Sequence, residues 1–322
     1  MRSLLDRVAA APITWGACEV PGWGFQLDPE RVLREMCEIG FRATELGPEG
    51  FLPAHPAALR ELLEARGLAV VAGFIPLVLH RGKALRASLA HAEAYADLLA
   101  GAGADILVLA ASADEPGYDG RPELDADGWA TLVGGIDQVV GLAREHGLTV
   151  AVHPHQGTLI ERSRDVERLL EGSTVSLCVD TGHLLIGGTD PLELVRSAPE
   201  RVAHVHLKDV AAMWPERVRS GRTSYAEAVR GRMYRPLGAG ELDIGAIVRA
   251  LEGTGYRGWY VLEQDAILEV PPKEGAGPVL DASTSLEFIR GIASGLEGEF
   301  PATVGGETRA AHGAASRRKG EG

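Results

Sequence analysis

Eight apolar stretches of strand length, each followed by a longer segment of helical period, run through this chain, and few architectures accept that rhythm. The stretches are Pro12–Ala17, Ala43–Leu46, Ala69–Ile75, Ile106–Ala110, Thr149–His153, Ser176–Val179, His204–Leu207 and Tyr260–Leu262. Between them lie amphipathic segments such as Pro29–Ile39, Pro56–Ala65, Leu85–Ala100, Gly128–Arg144, Ser163–Leu170, Pro191–Ala198 and Ile244–Leu251, and Ser283–Ile292 follows the last strand. Gly40, Gly67, Gly103, Gly147 and Gly255 sit between a helical run and the next strand, where a left-handed C-terminal cap suits glycine best. Asp28-Pro29 and Asp190-Pro191 pair an N-cap oxygen with a first-turn proline. A repeated strand–helix–glycine unit predicts parallel, right-handed crossovers. Eight of them predict an α/β fold of the (βα)8 TIM-barrel kind, one catalytic domain over residues 1–297. A doubly wound open sheet explains eight regular units less well, and no GxGxxG follows the first strand.

Four of the stretches end in polar clusters. They are His153-Pro-His155-Gln156, Asp180-Thr181-Gly182-His183, His204-Val-His206-Leu-Lys208-Asp209 and Glu263-Gln264-Asp265. Strand ends in such a barrel open on the face where chemistry sits. His153, Asp180, His206 and Glu263 would close strands five to eight, which are neighbours, so the four are expected to converge. Two imidazoles and two carboxylates suit a divalent first-row metal such as Mn, Co, Fe or Zn better than Ca or Mg. Open coordination positions would let it polarise a carbonyl or hydroxyl oxygen.

Taken singly, each of these residues has a plainer reading, as a helix cap or a satisfied core histidine. His204 and His206 share one side of their strand by the period-two rule; His206 is the expected ligand and His204 a buried donor behind it. Lys208 falls on the same side and is a candidate acid, base or oxyanion partner, against a solvated loop lysine. His155 and His183 are candidate substrate contacts or proton carriers. Glu45 closes strand two and either reaches the mouth or caps a helix. Trp15 either lines a pocket wall or packs as a core tryptophan.

Two regions break the rhythm. A long insert, about Val210 to Leu242, carries Trp214, Arg217, Arg219, Arg222, Tyr225, Arg230, Arg232, Tyr234 and Arg235. Loops of that length are usually functional or disordered, and this composition favours an ordered wall. Residues 298–322 have no apolar period and read as a disordered tail. A formal charge of −13 argues against nucleic-acid partners, which need clustered Lys and Arg. Cys18, Cys37 and Cys178 show no CxxC spacing, no run approaches a membrane span, and no signal peptide opens the chain, so a cytoplasmic enzyme is expected.

The segments Asp180-Thr-Gly-His183, His204-Val-His206-Leu-Lys208-Asp209, Gly238-Ala-Gly240-Glu-Leu-Asp243 and Gly258-Trp-Tyr-Val-Leu-Glu263 resemble the xylose-isomerase-like TIM-barrel superfamily. Ala11-Pro-Ile-Thr-Trp15, Glu45-Leu-Gly, His153-Pro-His155-Gln-Gly-Thr158, Ser224-Tyr-Ala-Glu-Ala-Val and Met233-Tyr-Arg-Pro-Leu-Gly narrow it to the inosose dehydratases. The likeness spans about residues 10 to 295. In the superfamily's isomerases and epimerases strand five usually ends in Glu; His153 stands there instead, as in the dehydratase branch.

The resemblance implies a hydro-lyase that removes water from a cyclic polyhydroxy ketone, 2-keto-myo-inositol, in inositol catabolism. It implies a divalent metal on His153, Asp180, His206 and Glu263, with manganese or cobalt expected ahead of zinc, iron or magnesium. Glu263, Lys208 and His155 are candidate bases, and His183 and His155 candidate acids. Glu45, Trp15, Trp214, Arg232 and Tyr234 are expected around the substrate. A small polyol or keto-sugar is the expected partner, with no nucleic acid and no membrane; a homo-oligomer is compatible with the sequence. The rivals are an isomerase or epimerase on the same barrel and a non-catalytic sugar-binding barrel.

Overall fold

The computed structural model describes residues 2–299. Its centre is a closed barrel of eight strands: β1 (Val8–Ala10), β2 (Ala43–Glu45), β3 (Ala69–Leu77), β4 (Ile106–Ala111), β5 (Thr149–Val152), β6 (Ser176–Asp180), β7 (Val202–Leu207) and β8 (Tyr260–Leu262). All pair in parallel, and β8 returns to β1 through the register Val8↔Tyr260, Ala9↔Val261, Ala10↔Leu262. From Ala43 onward every predicted strand is present, with ends shifted by no more than two residues.

The first strand is a correction. Pro12–Trp15 forms a 3-10 turn, closed by Gly16 at φ 84° with its N–H on the Ile13 and Pro12 carbonyls. Proline has no N–H for a ladder, and its ring fixes φ near the turn value. The barrel strand is instead the short, alanine-rich Val8–Ala10 just upstream.

Alternation along the strands sorts the side chains into two populations. Leu107, Leu109, Val150, Val152, Leu177, Val179, Val205, Leu207, Tyr260 and Leu262 face outward into the main core against the helices. Ala9, Ala43, Val71, Ala151, Cys178 and Val261 form a separate cluster inside the barrel. Two residues beyond Ala43, Ala151, Cys178 and Val261 come Glu45, His153, Asp180 and Glu263. The interior is thus a floor of small residues under one polar layer at the carboxyl ends of the strands.

Asp28 and Asp190 cap their helices as expected, accepting from Glu30 N–H and from the N–H groups of Leu192 and Glu193. Helices Pro29–Ile39 and Ile244–Thr254 end on left-handed Gly40 and Gly255. The insert is ordered: short helices Pro215–Arg219 and Tyr225–Arg230 lie between two-residue strands Asp209–Val210 and Tyr234–Arg235, which pair antiparallel. Buried Asp209 holds its far end. Its carboxylate accepts from the N–H groups of Val210, Gly238, Gly240 and Leu242 at 2.9, 2.9, 2.9 and 3.1 Å. A Cβ on Gly240 would come within 2.1 Å of Asp209 Oδ1, so glycine is required there. Asp243 then caps the next helix, so the Gly238–Asp243 segment is a turn into a helix.

The last helix, Pro278–Glu299, takes in residues 298 and 299, which the sequence assigned to a tail. The rest of that expectation, 300–322, lies outside the described residues. Among the described residues no helix is long and apolar enough to cross a membrane.

Candidate metal centre

Four side chains from adjacent strand ends meet at the top of the barrel. His153 Nε2 lies 3.1 Å from His206 Nδ1 and 3.3 Å from Asp180 Oδ2. His206 Nδ1 lies 3.6 Å from Asp180 Oδ2 and 3.0 Å from Glu263 Oε2. The register explains the meeting: Asp180 sits beside His206 across β6–β7, and Val261 beside His206 across β7–β8, with Glu263 one inward position further on. All four are at least nine-tenths buried. Asp180 Oδ1 caps the helix Thr181–Gly187 through Gly182 and His183 N–H, while the buried Oδ2 faces His153 Nε2 and Lys208 Nζ, each at 3.3 Å. A cation about 2.1 Å from each N or O ligand needs donors roughly 3–3.5 Å apart. The distances from His206 Nδ1 to the other three atoms and from His153 Nε2 to Asp180 Oδ2 run from 3.0 to 3.6 Å, close to that spacing, and a buried carboxylate oxygen among them is a donor such an ion would take.

The charges around His206 make the same demand. Burial favours the neutral ring, yet the Glu45 and Glu263 carboxylates outweigh it and hold His206 well above the ordinary histidine value. Without a metal, the site draws a proton to the spot where positive charge is missing. Burial pushes Glu263 up to about 7, against the opposing pull of Lys208 and His206. His206 Nε2 in turn faces Glu45 Oε1 at 2.9 Å, and His204 Nε2 faces the same oxygen at 2.7 Å. A carboxylate behind a ligating imidazole fixes its tautomer and orientation. Glu45 fills that position and also lines the pocket.

Beside this layer is a buried cation. Lys208 Nζ lies 2.6 Å from Asp265 Oδ1, 2.7 Å from Glu263 Oε1, 3.3 Å from Asp180 Oδ2 and 3.1 Å from His183 Nε2. Burial opposes its charge, but Asp180, Asp265 and Glu263 keep it protonated well past the usual lysine range.

The pocket above spans about 570 Å³ of space between atoms, part of it open to solvent. Its floor includes Glu45, His153, His206 and Glu263; its walls include Ile13, Cys18, Glu19, Phe74, Tyr118, His155 and Asp265. His155 Nδ1 lies 2.8 Å from the Gln156 carbonyl oxygen, which can only accept, so Nδ1 carries the hydrogen and Nε2 a lone pair. Burial, with His153 and Lys208 nearby, drives its pKa well below the histidine norm. His155 therefore offers the pocket an unprotonated nitrogen.

Several sequence expectations are corrected here. Lys208 and His183 are 1 % and 2 % exposed and do not line the pocket; each is walled off behind the metal-type layer, Lys208 by its carboxylates and His183 by the rings of His155 and Tyr225. Trp15 points into the helix-side core, its Nε1–H donating to Glu35 Oε2 at 2.9 Å. Trp214 lies under the Arg217 guanidinium and packs against the insert's own apolar cluster. Exposed Arg232 pairs with Asp281 at 2.9 Å. Tyr234 is buried with its ring 5.1 Å from Lys208 Nζ. None of these four lines the pocket.

The sequence reading missed Asp265, Phe74, Tyr118, Cys18 and Tyr225. The period-two rule that paired His204 with His206 also pairs Glu263 with Asp265, so that signal was present. Phe74 and Tyr118 carry no such mark; Tyr118 arrives on a loop that lies against Gly157, where a Cβ would meet its backbone at 2.6 Å.

Comparison with known proteins places the chain. A family model described as xylose isomerase-like TIM barrel matches residues 22–290, and the chain belongs to that family. The inosose dehydratase of Geobacillus thermodenitrificans is 30% identical over 269 residues, covering 80% of this chain and 89% of that protein. The inosose dehydratase of Geobacillus kaustophilus is 31% identical over 270 residues, covering 80% and 87%. Among solved structures, an L-ribulose 3-epimerase matches at TM-score 0.67 and 18% identity, covering 94% of this chain and 99% of that one. The IOLI protein, solved with a bound zinc atom, matches at TM-score 0.65 and 14% identity, covering 90% and 98%. Those two likenesses establish the shared barrel.

Proposed function

We propose that this protein is a metal-dependent inosose dehydratase, removing water from 2-keto-myo-inositol or a close cyclic polyhydroxy ketone. The observation that carries the reading is the ring of four donor atoms opening on a pocket in which His155 presents a bare Nε2. His153, Asp180, His206 and Glu263 would hold the ion, and relatives named inosose dehydratase support the substrate class. A divalent cation held there would supply Lewis-acid chemistry, making a C–H beside the substrate carbonyl easier to deprotonate. His155 Nε2 takes the α-proton. Its imidazolium, which burial makes a strong acid, passes that proton to the departing β-hydroxyl, so hydrogen and hydroxyl leave as water while a C=C bond forms. The enol tautomerises to the dione. Glu45 and Asp265 accept hydrogen bonds from ring hydroxyls, and Phe74 and Tyr118 cover the apolar face of the ring. Inositol catabolism in the cytoplasm is the setting that goes with this substrate.

The assay is turnover of 2-keto-myo-inositol by the Mn(II)- or Co(II)-loaded protein. Dehydration produces an ultraviolet-absorbing dione and reduces the hydroxyl-bearing ring carbons seen by NMR by two, one becoming a carbonyl and one losing its hydroxyl. Flat absorbance with a new epimer in the NMR spectrum would overturn dehydration in favour of epimerisation.

A further inference from the structure

We propose that Tyr225, on the long insert, is a positioning residue for the metal centre, acting through Asp265 and Lys208 on the carboxylates of Glu263 and Asp180. This rests on the metal-dependent reading above and extends it to residues outside the donor ring. Tyr225 O–H donates to Asp265 Oδ2 at 2.5 Å, and the Tyr225 and Tyr234 hydroxyls lie 2.9 Å apart. Asp265 Oδ1 accepts from Lys208 Nζ at 2.6 Å, and Lys208 Nζ donates to Glu263 Oε1 at 2.7 Å. Glu263 thus has one oxygen held by Lys208 and the other beside His206 Nδ1. Every link is buried: Tyr225 and Lys208 are 0 % and 1 % exposed, and Asp265 is 7 % exposed.

The arrangement has a direct physical consequence. Glu45, Asp180, Glu263 and Asp265 bring four carboxylates into one low-dielectric layer, where like charges repel strongly. Lys208 is the fixed cation among them, and a lysine side chain has a flexible stem that packing alone holds loosely. Asp265 pins the ammonium, and the Tyr225 hydroxyl pins Asp265. Tyr225 itself is anchored from below by its own N–H on Asp119 Oδ1 at 2.7 Å and from the side by the Trp23 and Tyr118 rings. The insert is therefore part of the centre's scaffold and more than a cover over the mouth.

The test is Mn(II) affinity by calorimetry, with the visible spectrum of the Co(II)-loaded protein, on the full chain and its Tyr225→Phe and Asp265→Asn variants. Partners behind metal ligands typically change affinity by about 10- to 100-fold. Tyr225→Phe is expected to weaken Mn(II) about ten-fold and Asp265→Asn more, both with shifted Co(II) bands and unchanged far-ultraviolet circular dichroism. Affinities within about two-fold of the unaltered protein, with the same Co(II) spectrum in both folded variants, would overturn the inference. If Tyr225→Phe does not fold, Asp265→Asn decides alone on the same criteria. An unaltered protein that binds neither ion overturns the metal-dependent reading and this inference together; unchanged variants of a metal-binding protein overturn only the inference.

Discussion

His153 Nε2 and His206 Nδ1 face each other at 3.1 Å inside a buried layer, with Asp180 Oδ2 within 3.6 Å of both. Without an ion, one ring N–H donates to the other ring nitrogen, and the raised His206 and lowered His153 make His206 the donor. A cation shared by the two rings would take the place of that proton.

His155 lines the pocket but is outside the donor ring, so chemistry and metal binding should separate there. His155→Gln is expected to lower kcat by roughly 10²- to 10⁴-fold, the usual range for a lost acid–base group. Bound metal measured by mass spectrometry should stay unchanged. Loss of metal together with activity would place His155 among the ligands.

Protons compete with the metal for the centre. Glu263 is pushed up to about 7 and His206 is held well above its ordinary value when no ion is present. Both must release protons to ligate, so metal affinity should fall as pH falls through about 7. The sign for the metal-free protein is the reverse: a carboxyl with a raised folded pKa contributes stability at low pH and loses it as pH rises from its unfolded value near 4.5 through about 7. Metal-induced stabilisation in thermal melts should therefore grow between about pH 5 and 7.5 by this linkage. A shift in melting temperature independent of pH would contradict it.

Much of the site was readable from residue order. Strand ends at His153, Asp180, His206 and Glu263 were visible because an apolar run seldom stops at a charged or ring-nitrogen side chain unless the strand leaves the core there. Period two then fixes which side of the strand that side chain takes. The error at Pro12–Ala17 arose because apolarity was weighed above the missing proline N–H, while Val8–Ala10 is too short and too alanine-rich to stand out. Lys208 and His183 look like groups of the mouth because sequence gives their position along the strand but not what stands in front of them. Tyr118 and Phe74 reach the pocket through tertiary packing, and no local pattern marks that.

Asp209 tests the insert's architecture. Its carboxylate satisfies four backbone N–H groups of the turn. Asp209→Ala should destabilise the protein by about 3 kcal/mol or more, since each buried unsatisfied donor costs about 1–3 kcal/mol. The midpoint of urea unfolding checks this, and a change below about 0.5 kcal/mol would mean that water replaces the carboxylate.

Cys18 lies on the pocket wall, 3.7 Å from the Tyr118 hydroxyl. Burial, with Glu19 beside it, pushes its thiol up to about 12. The thiolate is the reactive form, so iodoacetamide near neutral pH should modify Cys18 far more slowly than an unfolded control peptide. Alkylation at the peptide's rate would contradict that placement.

The most direct measurement is the metal content of the purified protein and of Asp180→Ala and His206→Ala, taken by plasma mass spectrometry after dialysis against Mn(II) or Co(II). About one ion per chain is expected in the unaltered protein and less than about a tenth of that in each variant, with circular dichroism showing all three folded. Stoichiometric metal in both folded variants would contradict a cation held by His153, Asp180, His206 and Glu263.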